Sequence, residues 1–271
     1  MKPAPRDEAL RGSTAIITGA GRGIGRGGAL GLARRGARVA ILDVVPEELE
    51  TTLGLVRREG AESMGILADL GRRDEIVSVL ERVTRAWGPP DVLINNAAVL
   101  HLTTFEETDP AVWDETMNVN LNAVYYLTWR VYRGMVDKGR GNIVTMSSTA
   151  GVKPFARETA YCATKYALEG LMRSLAIEAP RGLIVTLGTP GKTTKPTSMS
   201  DAEFAALPPE RQAQYANPLV FAEAFGYLAA TADAALSGRR FDLFALAELV
   251  REEGWNVPAS RALQRAERDA L

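Results

Sequence analysis

A tyrosine and a lysine four positions apart, Tyr161 and Lys165, could carry out proton transfer. They fall in a predicted helix, residues 159–179, and residues i and i+4 lie on one helix face, about 6 Å apart along the axis. An ammonium group beside a phenol lowers the phenol's pKa from its reference value of about 10. Tyr161 is therefore a candidate general acid and base, and Lys165 its candidate electrostatic partner. The same spacing also occurs on solvated helix faces that have no chemical role.

A glycine-rich turn follows the first predicted strand, residues 14–18, and precedes a predicted helix, residues 24–35. Glycines let the chain turn tightly and bring backbone N–H groups against a pyrophosphate, and the helix N-terminus adds the positive end of its dipole. This context favours a dinucleotide site over the alternative, a glycine-rich turn that binds nothing. The predicted contact residues are Gly19, Arg22, Gly23, Ile24 and Gly25.

An acidic residue, Asp43, ends the second predicted strand 24 positions after Gly19. Its carboxylate could accept hydrogen bonds from the ribose hydroxyls of a dinucleotide and would repel a 2′-phosphate. No arginine or lysine follows it directly, so we expect NAD, with NADP less favoured, although Arg22 could assist a phosphate. The alternative is that Asp43 only caps the helix that begins near Pro46.

Short apolar runs alternate with helical patterns along most of the chain. This alternation predicts right-handed βαβ crossovers and a parallel sheet, and the continuous apolar strands indicate a sheet covered on both faces. We therefore predict an α/β fold, a Rossmann-type doubly wound parallel sheet in three α/β/α layers, as a single domain over residues 1–271. The predicted strands are 14–18, 38–42, 63–68, 91–94, 142–146 and 183–187.

Composition excludes several classes of protein. The chain has 271 residues, of which 46% are hydrophobic and 24% charged, as in globular proteins, and its net charge of −1 gives no general reason to bind nucleic acid or anionic membrane. One cysteine and one histidine argue against a disulfide framework and a His-ligated metal site. The N-terminus has no signal-peptide core, and residues 219–236 contain acidic side chains and are predicted to form a buried or interface helix. A cytoplasmic protein is expected.

Several short motifs occur in one order along residues 12–192. Besides the glycine turn, they include Asn95-Asn96-Ala97-Ala98, Asn120, Ser147-Ser148 and the Tyr161/Lys165 pair, and the series ends with Pro190-Gly191. As a joint pattern they resemble the short-chain dehydrogenase/reductase family, in its compact single-domain branch.

The resemblance implies a role for each matched residue. Tyr161 would exchange a proton with the substrate oxygen, which Ser148, rather than Ser147, would also contact. Lys165 would hold the nicotinamide ribose and lower the tyrosine pKa, and Asn120 would hold a water that links Lys165 to solvent. The matched positions for cofactor contacts outside the glycine turn are Asp43, Asp69, Leu70, Asn96, Ala97, Tyr161, Lys165, Pro190, Gly191 and Thr193.

The sequence departs from the family pattern after Gly191. Lys195 stands where a threonine is usual, which makes Thr193 the choice by position, and Arg239-Arg240-Phe241-Asp242 replaces the family's usual Asp-Gly-Gly. Residues 189–217 form a predicted substrate loop and residues 240–271 a tail of two short helices. Lys192 and Lys195 could attract an anionic group on a substrate, or could simply belong to a solvated basic loop.

The sequence thus predicts an NAD(P)-dependent oxidoreductase that acts on a small secondary alcohol or ketone. The alternative is a regulatory protein of the same fold that binds the cofactor but has altered catalysis. A nucleotide-sugar epimerase is disfavoured by the glycine spacing. The aromatic residues between Trp113 and Tyr132 favour core or subunit contacts, and the family's matching helices pack across dimers, so a homo-oligomer, dimer or tetramer, is expected.

Overall fold

A single parallel sheet organises the structure. The computed structural model describes residues 7–195, 199 and 201–266, and within them seven strands pair in the order β3-β2-β1-β4-β5-β6-β7. The order reverses direction between β1 and β4, as in a doubly wound fold. The strands are β1 (Thr14–Thr18), β2 (Arg38–Asp43), β3 (Ser63–Leu67), β4 (Val92–Asn95), β5 (Gly141–Met146), β6 (Leu183–Thr189) and β7 (Arg240–Asp242).

Helices connect the strands and cover the sheet. The helix that follows β4 contains one wider, π-helical turn, Asn118–Asn122, between two regular parts. The helices of the described residues are α1 (Gly23–Arg34), α2 (Pro46–Arg58), α3 (Arg73–Trp87), α4 (Pro110–Met117), α5 (Ala123–Lys138), α6 (Thr159–Glu178), α7 (Asp201–Ala205), α8 (Pro209–Gln212), α9 (Ala222–Ala230), α10 (Leu243–Glu253) and α11 (Ala259–Ala262).

Two hydrophobic cores lie on opposite faces of the sheet. Apolar residues of β1 alternate between them, since Ile17 belongs to the core with α1, α2, α9 and α10, and Ile16 to the core with α3, α5 and α6. Period-two alternation in a strand and an apolar stripe on each helix produce this division. The three-layer α/β/α prediction is confirmed.

The segments after β6 differ most from the sequence prediction. Strand β7 was not predicted, because three residues that include Arg240 and Asp242 give no clear strand pattern; only Phe241, fully buried, carries the apolar signal. The predicted helix over residues 219–236 is a 3₁₀ turn (Pro218–Phe221), the buried α9 and a second 3₁₀ turn (Ala234–Leu236). The two predicted tail helices correspond to α10 and α11, and residues 267–271 of the tail lie outside the described residues.

No helix in the described ranges is both long enough and apolar enough to span a membrane. The long predicted loop, residues 189–217, contains the short helices α7 and α8, while residues 196–198 and 200 of that loop lie outside the described residues.

Helix α1 packs unusually closely against the segment that leads into α9. A Cβ atom at Gly31 would lie 2.0 Å from the carbonyl oxygen of Ala222, and one at Gly27 would lie 2.3 Å from the carbonyl oxygen of Pro218. These distances leave no room for a methyl group. The glycines of α1 therefore allow its backbone to approach α9, and this contact fixes the helix that follows the glycine turn.

Replacement of Gly31 by alanine is expected to lower the free energy of unfolding by about 1–3 kcal/mol, because the added methyl group has no space. Gly54→Ala in α2 is the matched control: a Cβ there meets nothing within 4 Å, so helix propensity should raise stability by up to about 1 kcal/mol. Urea denaturation of both variants measures the difference. Equal stabilities would contradict the close packing of α1 on α9.

Candidate active site

The motif residues gather at the carboxyl ends of the parallel strands. Thr18 and Asp43 end β1 and β2, Asn95 ends β4, and Ser147 directly follows β5. In open α/β sheets, ligands bind outside the carboxyl ends of the strands where the strand order reverses. Here that point lies between β1 and β4, so the fold brings distant sequence motifs to one edge.

Close backbone contacts hold the glycine turn in place. Gly19 has φ +59°, a conformation that favours glycine, and a Cβ at Gly25 would lie 2.3 Å from the carbonyl oxygen of Gly19. Arg22 is the exposed N-cap of α1, and no side chain caps the first amides of that helix. Gly23 and Ile24 begin the helix. The turn thus keeps backbone and helix dipole available for an anion such as a pyrophosphate.

Asp43 is held at the rim of this turn. One carboxylate oxygen accepts a hydrogen bond from the backbone N–H of Gly21 at 2.7 Å, and the other accepts from Val44 and Val45 at 2.8 and 3.1 Å. The carboxylate is therefore tied to the turn and to the segment leading into α2, but it does not cap that helix: the N-cap is Val45, with no side-chain cap, so the alternative role predicted for Asp43 is wrong.

Arg26, which the sequence did not single out, supports the turn from inside α1. Its guanidinium donates to the carbonyl oxygen of Gly21 at 3.0 Å, to the hydroxyl of Thr52 at 2.9 Å and to Glu48 at 2.5 Å. Thr52 also donates to the same Gly21 carbonyl at 2.6 Å. Arg26 is thus a bracing residue that fixes the turn to α2.

Asn96 and Ala97 join the glycine turn to the end of β4. The hydroxyl oxygen of Thr18 accepts from the backbone N–H groups of Asn96 and Ala97 at 2.9 and 3.0 Å. The Asn96 amide donates to the carbonyl oxygens of Thr18 and Gly19 at 2.9 and 2.8 Å. Both side-chain hydrogens of Asn96 are occupied in this way, so its side chain positions the backbone of the turn.

Asp69 and Leu70 follow β3 and face different surroundings. Asp69 is exposed and accepts from the backbone N–H of Gly71 at 2.9 Å. Leu70 is buried and lines a cavity of about 110 Å³ between α3 and the π-helical turn, together with Asn118 and Tyr126.

Tyr161 and Ser148 come together at the carboxyl end of β5. Burial raises the pKa of the Tyr161 phenol; its hydrogen bond with Ser148 acts in the opposite direction, and the nearby negative charge of Glu158 adds to the increase. Ser148 also accepts from the backbone N–H of Ala150 at 3.1 Å, which orients its hydroxyl. Ser147 instead donates to Glu169 at 2.5 Å, so of the two serines only Ser148 interacts with the phenol.

Lys165 is almost completely buried on the same face of α6. Its ammonium donates to the carbonyl oxygen of Met146 at 2.8 Å and lies 5.4 Å from the centre of the Tyr161 ring. Burial lowers the pKa of Lys165 to about 8, and the carboxylate of Glu169 opposes this decrease. The expected lowering of the tyrosine pKa by Lys165 is not found: burial is the largest influence on the phenol and raises its pKa, and the interaction that lowers it comes from Ser148.

Asn120 lies in the π-helical turn and is fully buried. Its side-chain oxygen accepts from the backbone N–H of Val99 at 2.8 Å, and its amide donates to the carbonyl oxygen of Val99 at 2.8 Å and to the Thr164 hydroxyl at 3.4 Å. Thr164 in turn donates to the carbonyl oxygen of Tyr161 at 2.7 Å. Asn120 therefore connects the segment after β4 with the helix that carries Tyr161.

A comparison with protein families identifies this arrangement. Residues 13–207 match the family model described as short chain dehydrogenase. The chain belongs to the short-chain dehydrogenase family. The gluconate 5-dehydrogenase of Gluconobacter oxydans is 34% identical over 183 residues, which are 67% of this chain and 72% of that protein. The D-threitol dehydrogenase of Mycolicibacterium smegmatis is 29% identical over 259 residues, 93% of this chain and 95% of that protein.

Solved short-chain dehydrogenases share the fold. A metagenomic short-chain oxidoreductase in complex with NADP is 32% identical, with a TM-score of 0.71 and coverage of 83% of this chain and 93% of that one. The carveol dehydrogenase of Mycobacterium avium, in complex with NAD, has a TM-score of 0.76 at 22% identity and covers 86% of this chain and 96% of that one; it shows the fold alone. The family and the Rossmann-type fold predicted from the sequence are confirmed.

The tail of this short-chain dehydrogenase packs on the start of the predicted substrate loop. Gly191, which follows Pro190, has φ +69° and packs so closely on Asp242 that a Cβ there would lie 1.8 Å from the carboxylate. The Lys192 ammonium lies 5.1 Å from the centre of the Phe244 ring, and the carbonyl oxygen of Thr193 accepts from the N–H of Ala216 at 2.8 Å. The start of the loop is therefore held by β7 and α10.

Two segments beside Tyr161, residues 100–105 and 155–157, were also not predicted from the sequence to belong to the site. Thr103 donates its N–H to the carbonyl oxygen of Arg157 at 3.0 Å, and Arg157, with φ +65°, donates to the carbonyl oxygen of Leu102 at 2.9 Å. These segments leave several large apolar side chains exposed, which are Leu100, Leu102, Phe105 and Phe155. Apolar residues directly after the Asn-Asn-Ala-Ala motif were the signal in the sequence.

Proposed function

We propose that this oxidoreductase interconverts a secondary alcohol and a ketone, with a nicotinamide cofactor and with Tyr161 as the acid and base. The observation that carries the proposal is the joint position of Tyr161, Ser148 and Lys165 at the end of β5. A phenol that interacts with a serine hydroxyl and lies near an ammonium is suited to proton transfer at one oxygen atom. The hydroxyl of Ser148 would donate to the same substrate oxygen and orient it.

The residues at the strand ends fit a dinucleotide. Gly19, Arg22, Gly23, Ile24 and Gly25 would hold the pyrophosphate, because side-chain-free backbone and a helix N-terminus meet there. When bound, the cofactor supplies the hydride acceptor or donor. The remaining proposed contacts are Asp43, Asp69, Leu70, Asn96, Ala97, Tyr161, Lys165, Pro190, Gly191 and Thr193.

Lys165 and Asn120 would act on the proton rather than on the substrate carbon. The positive charge of Lys165, 5.4 Å from the Tyr161 ring centre, favours the phenolate and so opposes the effect of burial. The side-chain amide of Asn120 donates to Val99 and Thr164, and its oxygen accepts from Val99 while keeping a second lone pair. A water that connects Lys165 to solvent would donate to that lone pair.

We further propose that the chain prefers NAD, acts on a substrate with an apolar part, and assembles as a cytoplasmic homo-oligomer. The carboxylate of Asp43 supports the first point, and the exposed Leu100, Leu102 and Phe155 beside the site support the second. Assembly is supported by Tyr125 and Trp129 on one face of α5, which are 47% and 63% exposed. Exposed aromatic side chains at helical spacing are typical of protein contacts.

Tyr161→Phe is expected to reduce turnover by about 10²- to 10⁴-fold, because it removes the group that transfers the proton. Cofactor affinity should remain close to that of the unmodified chain, since the ring is retained. Tyr166→Phe on the same helix, where the ring is 45% exposed, is the control and should be fully active. A screen of alcohols and ketones, followed by the absorbance of reduced cofactor, measures turnover. Normal turnover by the Tyr161 variant would overturn the proposal, and no turnover of any substrate would favour the regulatory alternative.

NADH is expected to bind at least about tenfold more tightly than NADPH, a difference of about 1.4 kcal/mol, because the Asp43 carboxylate repels a 2′-phosphate. Asp43→Asn removes the charge and should reduce this preference by about tenfold. Asp74→Asn, an exposed carboxylate on α3 that pairs with Arg72, should leave it unchanged. Fluorescence titration with both reduced cofactors measures the affinities. Tighter binding of NADPH by the unmodified chain would contradict the assignment of Asp43.

A further inference from the structure

A buried charge network lies directly behind the proposed acid–base site. Glu169 follows Lys165 by one turn of α6 and is 7% exposed. One of its carboxylate oxygens accepts from Ser147 at 2.5 Å and from Arg240 of β7 at 3.3 Å, and the other lies 3.3 Å from Arg173. None of these four side chains belongs to the matched family motifs except Ser147, which was the less favoured serine of its pair.

The network and Lys165 hold the same short piece of backbone. Lys165 donates to the carbonyl oxygen of Met146, and Glu169 binds the hydroxyl of the next residue, Ser147. The residue after that is Ser148, which interacts with Tyr161. Gly151 packs directly against the network, since a Cβ there would lie 2.8 Å from the Ser147 hydroxyl and 3.2 Å from Glu169. Movement of Glu169 would therefore displace both the acceptor of Lys165 and the partner of Tyr161.

A buried carboxylate is costly unless it is paired, and its retention at this position calls for a compensating charge. Arg240, 3% exposed, supplies that charge on one side. On the other side, Glu169 opposes the effect of burial on the ammonium of Lys165. Glu169 thus pairs directly with one buried cation, Arg240, and its charge acts on a second, Lys165.

We propose that Glu169, anchored by Arg240 and Ser147, is a positioning residue that keeps Lys165 charged and in place for proton transfer by Tyr161. This inference rests on the proposed function. It assigns a role to Arg240, which occupies a departure from the family pattern at the end of the sheet.

The other charged groups around Lys165 are few. They are Glu158, Tyr161, Glu169 and Arg173 of α6 and its N-cap, and Arg240 and Asp242 of β7. The segments packed against α6 at residues 118–122 and 149–151, and β6, contain no titratable side chain. Helix α4 carries Asp114 and Glu115, both exposed, and Glu115 pairs with His101. Glu169 is therefore the negative charge best placed to act on Lys165.

The first proton lost as pH rises past about 8 comes mainly from Lys165, since burial lowers the pKa of Lys165 to about 8 and raises the pKa of Tyr161; in a small fraction of molecules it comes from Tyr161 instead. Loss from Tyr161 gives the active phenolate beside an ammonium, and loss from Lys165 gives an inactive neutral pair. The two products have equal charge, so their ratio does not depend on pH. A lower pKa of Lys165 moves the midpoint to lower pH and reduces the plateau rate by the same factor.

Glu169→Gln tests the inference, because glutamine can still accept from Ser147 but carries no charge. The pKa of Lys165, followed by NMR of ¹³C-labelled lysine and assigned by its loss in Lys165→Arg, should fall by about 0.5–1 unit. Only six lysines are present in the chain, so the spectrum is simple. The midpoint of kcat/KM for alcohol oxidation should fall by the same amount, and the plateau by about three- to tenfold. Glu223→Gln, another buried carboxylate that pairs with Arg34 and Arg251, should change stability but none of these values.

Arg240→Gln is an independent test in which the pKa of Lys165 should shift in the opposite direction. It remains available if Glu169→Gln does not fold. Loss of a neighbouring cation should raise the pKa of Lys165. If Glu169 and Arg240 had a purely structural role, both variants would be less stable, but the pKa of Lys165 would not shift in opposite directions in the two. An unchanged Lys165 pKa in Glu169→Gln, or shifts of the same sign in both variants, would overturn the inference. A lower Lys165 pKa with an unchanged plateau rate would also overturn it. Failure of the proposed function itself is recognised separately, by full turnover of Tyr161→Phe in the same assay.

Discussion

The ammonium group of Lys165 is almost completely removed from water, and a charge in that position requires compensation from the surrounding chain. The carbonyl oxygen of Met146 and the carboxylate of Glu169 provide it. Because Met146 ends β5 and Glu169 lies on α6, this one charge determines how the strand and the helix must be aligned. The alignment in turn brings Ser148 to the phenol of Tyr161, so the geometry of the proposed acid–base group depends on the accommodation of a single buried cation.

The opposite side of the site depends on close backbone contact instead of charge. Gly25 lies against the carbonyl of Gly19, and Gly31 lies against the carbonyl of Ala222, so α1 is fixed to the sheet and to α9 with no intervening side chains. Asn96 and Thr18 then connect the glycine turn to the end of β4. A rigid turn next to the rigid group proposed for proton transfer suits hydride chemistry, because the reacting atoms must be held in a narrow range of positions.

The sequence predicted the elements whose signal is local, namely the apolar strands, the glycine turn and the i, i+4 pair of α6. It did not predict β7, whose three residues have too little pattern, or the contact of Asp242 with Gly191, which joins positions about fifty residues apart in the chain. It also predicted the wrong direction for the pKa of the Tyr161 phenol, because the spacing reveals the nearby ammonium but not the burial that raises this pKa. Arg26 and Glu169 were missed because single charged residues in helices carry no spacing signal.

Ultraviolet titration of the Tyr161 phenolate in two variants tests the central claim most directly, namely that a positive charge at position 165 controls the acidity of this phenol. Lys165→Arg keeps the charge at every pH, and Lys165→Met removes it with little change in volume; each spectrum is corrected with the matching Tyr161→Phe variant. The phenolate is expected to form about one pH unit lower, or more, with arginine than with methionine. Equal midpoints in two folded variants would contradict the account.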